Sequence, residues 1–170
     1  MDLTSRELWP VLHGMVFGAL FLLAFAGGLA ELYLLRPTTE TPSGLRVSTR
    51  RIGVGVTAMA VIAWVTVITG TWIVYPDYRE QVPTSPRSVL LADPATEAWH
   101  TFGMEWKEHV AWLSPMLATV VAFIVLYYGV ALARNDRLRR TAMTLFILAF
   151  ATAAVAGALG ALITRAAPIQ

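Results

Sequence analysis

Four apolar stretches of about twenty residues or more, separated by shorter polar segments, constrain this chain more than any other feature. A helix that crosses the hydrocarbon core of a bilayer needs about 20 mostly apolar residues. The first stretch runs from Val11 to Leu35 and is interrupted by His13 and Glu31. The second runs from Ile52 to Tyr75, the third from Trp106 to Ala133 and the fourth from Thr141 to Thr164. The third carries His109 near its start and Pro115 inside it. In lipid every backbone polar group must be satisfied within its own element, so these stretches are read as helices. The expectation is an all-α polytopic membrane protein, a four-transmembrane-helix antiparallel bundle forming a single membrane domain over residues 1–170.

Composition agrees. Apolar residues make up 56% of the chain and charged residues 14%, against about 25% charged in a soluble domain. Disorder is excluded, because so apolar a chain collapses. The absence of cysteine excludes disulfides, thiolate metal sites, iron–sulfur clusters and covalently attached c-type haem. The first apolar run is too long for the core of a signal peptide and is followed by no convincing cleavage site, so it reads as a span.

The arginines set the expected orientation. Arg36, Arg46, Arg50 and Arg51 fall between the first two stretches, and Arg134, Arg137, Arg139 and Arg140 between the last two. The positive-inside rule makes both loops cytoplasmic. It places both termini and the Pro76–Glu105 segment outside, in a bacterial inner membrane. The net charge of +2 is therefore a topology signal, and no nucleic-acid partner is expected. The outer segment is acidic and rich in Pro and Ser, which predicts an irregular loop with a short interfacial helix at Ala95–Trp99. Tyr75, Tyr78, Trp99, Trp106 and Trp112 fit an outer aromatic belt, and Tyr33, Tyr127 and Tyr128 an inner one. Gly14 with Gly18, Ala153 with Gly157, and Ala156 with Gly160 are small-xxx-small pairs, which predict close helix packing, tightest around the fourth span.

Ionisable residues inside spans are costly and are the first candidates for function. His13 lies 23 residues before Arg36, and His109 lies 25 residues before Arg134. At 1.5 Å per residue both stand about 35–38 Å from the cytoplasmic edge. Two helices thus carry one histidine each at matched depth, as a bis-imidazole b-type haem requires. Gly14 and Gly18 give room for a flat macrocycle. Among the outer cations Arg79, Arg87, Lys107 and Arg165, the nearest in depth to the histidines are Lys107 and Arg165, placed to neutralise haem propionates. His100 is expected to be an exposed loop residue. A rival cluster of His13, Met15, His100, Met104, Glu105 and His109 would suit copper or another metal, though the methionines also serve ordinary apolar packing. Glu31 and Tyr127 lie five whole turns below His13 and His109. If the histidines face each other, Glu31 is expected to reach Tyr127.

The pattern resembles the small four-helix membrane b-type cytochromes of bacteria, which are electron-carrying or anchor subunits of redox complexes. The resemblance is architectural: four spans, with His13 and His109 on the first and third. The stretch Trp99–His109 has the look of a family signature. The resemblance implies a subunit that carries one b-type haem near the outer face, ligated by His13 and His109. It implies partners in the lipid, in other subunits of a membrane redox complex and in a periplasmic electron carrier. With two candidate ligands, no transmembrane haem ladder is expected. The competing expectation is a cofactor-free accessory subunit that stabilises a larger membrane complex. No nucleophile–base–acid set supports autonomous hydrolysis, and no span is broken at its midpoint as in transporters.

Overall fold

The computed structural model describes residues 5–36 and 41–168, with side chains from Leu8 onward. Within them the chain is helical and contains no strand. Four helices are long and apolar enough to cross a membrane: α1 (Leu8–Leu34), α2 (Pro42–Tyr78), α4 (Trp99–Tyr128) and α6 (Asp136–Ala166). A short helix α3 (Pro86–Ala92) lies in the long connection, and a single turn α5 (Ala131–Arg134) links α4 to α6.

The helices outrun the apolar stretches, for local reasons. Helix α2 begins ten residues before Ile52 because Thr41 caps it, its hydroxyl accepting from the Gly44 amide at 3.1 Å with Pro42 in the first turn. Asn135 does the same for α6, accepting from the Leu138 amide at 3.0 Å. Such caps satisfy amides that a helix start leaves without partners. Helix α4 stops at Tyr128, short of Ala133, because Gly129 takes φ of 49°, a left-handed conformation that glycine adopts without strain. Arg46, Arg50, Arg51, Arg137, Arg139 and Arg140 are thus on helix ends rather than in loops. A short helix at Pro86–Ala92, capped by Ser85, stands in the long connection, while Ala95–Trp99, expected as a separate short helix, is a turn whose helical end, from residue 97, runs on into α4.

Helix α1 packs on α2 and α6, and α4 packs on the same two. The first and third spans therefore stand across the diagonal of the bundle. Both arginine-bearing connections lie at one end, the arginine end, and the long connection lies at the other. The main core fills the arginine half and the middle, with Phe146, Leu32, Ile52, Met59, Val56, Val121 and Val125 essentially fully buried. Phe25 stacks on Phe150 with centroids 4.1 Å apart and packs against Phe146 at 5.2 Å. A smaller cluster of Tyr78, Leu90, Met104, Ile163 and Ala167 closes the long-connection end.

Several sequence expectations are corrected here. Of the expected small-residue pairs, Ala156 and Gly160 are packed, Ala156 buried and Gly160 against Lys107 of α4, whereas Gly14, Gly18 and Gly157 do not bring helices together: a β-carbon there would meet nothing within 4 Å. Glu31 does not reach Tyr127. Its carboxylate pairs with Arg51 Nε at 2.5 Å, while Tyr127 is 71% exposed on the outside of the bundle and stacks on Phe123. The diagonal placement of α1 and α4 is the reason. Tyr78 is buried rather than part of a belt, whereas Trp106, Tyr33, Tyr127 and Tyr128 are exposed. Arg139 turns inward, donating to the Ala133 carbonyl at 3.2 Å and to Asp136 at 2.6 Å.

Candidate functional site

Between the two clusters, in the long-connection half of the bundle, lies a cavity of about 1010 Å³. All four spans line it: His13, Gly14 and Gly18 from α1, Thr66 and Gly70 from α2, Lys107, Glu108, Trp112 and Ser114 from α4, and Gly157, Gly160 and Arg165 from α6. The volume lies at the upper end of the roughly 300–1,000 Å³ usual for ligand sites. The small side chains make this space, since nothing fills the room in front of Gly14, Gly18 and Gly157.

Three π-helical turns border this end: Leu12–Val16, Gly70–Val74 and Trp99–Met104. A π-turn inserts a residue into a helix, rotates the turns before it against the turns after it, and is frequent at functional sites. His13 lies in the first of these turns and packs on Gly70 at the start of the second. A β-carbon on Gly70 would come within 2.7 Å of His13 Cε1, so the ring in this position sits where only glycine leaves it room. His13 Nδ1 lies 3.4 Å from Thr69 Oγ1. The Thr69 hydroxyl already donates to the Val65 carbonyl at 2.7 Å. It therefore accepts from His13 Nδ1–H, which leaves the imidazole lone pair on Nε2.

On the α4 side, Lys107 crosses the space in front of Gly160, with its Cε 3.2 Å from where a β-carbon would stand. Glu108 follows it, and its carboxylate accepts a hydrogen bond from the Tyr75 hydroxyl. Glu108 Oε1 and Ser114 Oγ are buried and have no hydrogen-bond partner among the described residues. Trp112 packs edge-on against Trp64 and Trp72, each at 6.1 Å, and fixes the α2–α4 wall. Trp64 Nε1 adds a hydrogen bond to Thr119 at 3.0 Å.

Of the four residues expected to hold a haem, the structure brings His13, Lys107 and Arg165 to this cavity. It does not bring His109. That side chain is exposed on the opposite face of α4, with Nδ1–H donated to the Glu105 carbonyl at 2.6 Å. Successive helix residues turn by about 100°, so a helix that aims Lys107, Glu108, Ala111 and Trp112 inward aims His109 out. Depth along a helix and direction around it are independent, and the matched depth of the two histidines carries no information on facing.

His100 is in a helical turn rather than a loop. Arg87 Nε–H donates to its Nε2 at 3.4 Å, and its Nδ1–H donates to the Tyr78 hydroxyl at 2.8 Å. It ties the long connection to the bundle. Met15 and Met104 line the cavity, Met15 largely exposed and Met104 buried in the closing cluster. Among the described residues no three His, Asp or Glu side chains converge as metal ligands. Sequence reasoning alone misses Glu108 and Ser114. The signal that could have found them is their spacing from Lys107: positions 107, 108, 111, 112 and 114 mark one helical face.

Comparison with protein-family models, with curated proteins and with solved structures gave no match.

Proposed function

We propose that this protein is a membrane subunit of a redox complex and that its functional site is the cavity between the long-connection halves of the four spans, where it holds a lipid-soluble redox group. The observation that supports this most is the cavity itself: space for a large amphipathic ligand, apolar and glycine-rich walls, and polar side chains from several helices among its lining. In this reading the arginine end is cytoplasmic, both termini and the long connection are outside, and the membrane is a bacterial inner membrane. The partners are lipid, other subunits of the complex and a periplasmic electron carrier.

A b-type haem is the group the sequence resemblance points to, and the donor set fits it in part. His13 offers an imidazole, Lys107 and Arg165 offer cations for propionates, and Gly14, Gly18 and Gly157 leave room for a flat ring. A haem bound there would supply a one-electron carrier. Bis-imidazole ligation by His13 and His109 does not fit, because His109 is on the far face of α4; one imidazole is available at the cavity.

The test is to purify the full chain from its native membrane into phospholipid nanodiscs, record the dithionite-reduced visible spectrum, and analyse an organic extract. The account expects either a b-type band that depends on His13 or a retained lipid-soluble redox molecule. A featureless spectrum with an extract of phospholipid alone contradicts it and favours a cofactor-free accessory subunit.

A further inference from the structure

The cavity wall keeps two unpartnered oxygen atoms, even though the Glu108 carboxylate already accepts from the Tyr75 hydroxyl. Glu108 Oε1 and Ser114 Oγ are buried without partners among the described residues, and both line the cavity. Ser114 is 3% exposed. Unsatisfied buried acceptors are costly, a charged one most of all, so such atoms mark places where a ligand or water supplies the missing donor. His13, with its lone pair on Nε2, adds a third acceptor on the wall formed by α1, and Lys107 supplies a donor. Lys107 and Glu108 carry opposite charges side by side, and the other charged residues of the lining, Arg165 and Asp77, are likewise of opposite sign, so the cavity as a whole offers an ion no net charge. A fatty-acid carboxylate or a phosphodiester has no proton to give Glu108 and is repelled by it. A neutral head group with two hydroxyls both donates and accepts, and a flat ring suits walls from which side chains are missing at Gly18 and Gly157.

We propose that the cavity binds the head group of a lipid-soluble hydroquinone, one hydroxyl donating to Glu108 and the other to His13, with Ser114 and Lys107 completing the hydrogen bonds. This rests on the cavity being a ligand site and names the class of ligand. The hydroquinone is held by hydrogen bonds alone, and no covalent bond forms or breaks.

The experiment uses the full chain in nanodiscs of quinone-free phospholipid, titrated with a decyl-substituted benzohydroquinone kept reduced. Binding is read from the tryptophan fluorescence change that disappears in Trp112→Phe, since Trp112 lines the cavity. Saturable binding is expected, weakened about tenfold or more in Glu108→Gln by loss of one hydrogen bond to a charged acceptor. Ser114→Ala weakens it less, and Tyr127→Phe, on the lipid-facing side, leaves it unchanged. If Glu108→Gln fails to fold by circular dichroism, Ser114→Ala and His13→Gln carry the test. A non-saturable change equal in all variants overturns the proposal. Decanoate binding more tightly than the hydroquinone, with loss in Lys107→Gln only, overturns the hydroquinone while keeping the cavity as a ligand site. A His13-dependent haem band in the purified protein does the same. Failure of both probes together with a featureless spectrum overturns the ligand site as well.

Discussion

The His13 ring occupies the space that a side chain at position 70 would need, its Cε1 lying 2.7 Å from where a Gly70 β-carbon would stand. This contact joins α1 to α2 at the cavity wall. Gly70→Ala is expected to displace the ring, since a backbone-fixed methyl cannot move aside, and to break its hydrogen bond with Thr69. In spectra of the ¹⁵N-histidine-labelled protein, the His13 ring signals should shift in this variant while those of His109 stay in place. Unchanged His13 signals would mean that the ring does not rest on Gly70.

The Glu31–Arg51 pair replaces the expected Glu31–Tyr127 contact. With the Arg51 side chain 65% exposed, the pair is expected to contribute no more than about 1 kcal/mol. A double-mutant cycle of Glu31→Gln and Arg51→Gln, read by reversible unfolding in bicelles, should return a coupling of that size. The same cycle between Glu31→Gln and Tyr127→Phe should return none.

Phe146 is fully buried and lies under Gly28, where a β-carbon would stand 3.0 Å from its ring. Phe146→Ala is expected to cost roughly 3–5 kcal/mol through lost contacts and the cavity left behind. Phe123→Ala, on a side chain 60% exposed, should cost far less. Comparable losses at the two positions would put the core in the wrong place.

The arginine bias predicts sidedness. Alkaline-phosphatase fusions after Asp93 should be active and fusions near Arg46 silent. The reverse pattern would turn the bundle over and place the cavity towards the cytoplasm.

The number of spans and the all-α fold are legible in the sequence because a twenty-residue apolar run has few alternatives in lipid. Helix ends are less so: Thr41 and Asn135 extend α2 and α6 through polar segments that hydropathy assigns to loops. Within each helix the five-turn spacing holds. His13 and Glu31 both face α2, and His109 and Tyr127 both face outward. What the spacing lacks is the direction of each face, which depends on which helices are neighbours and on the extra residue that each π-turn inserts. Gly14 and Gly18 make room beside His13, as expected, but they are not helix contacts. A sequence does not distinguish a small residue that admits a helix from one that leaves a hole.

The most direct test of the cavity as a ligand site is to fill it. A β-carbon on Gly157 would meet nothing within 4 Å, so Gly157→Phe should place its ring in the cavity without disturbing the core around Phe146. The measurement is the redox-active ligand retained per protein, from the reduced spectrum and the organic extract, in the purified variant and the parent chain. The account predicts unchanged helicity with at least a tenfold loss of retained ligand. A folded Gly157→Phe protein that keeps the parent's full ligand content would contradict it.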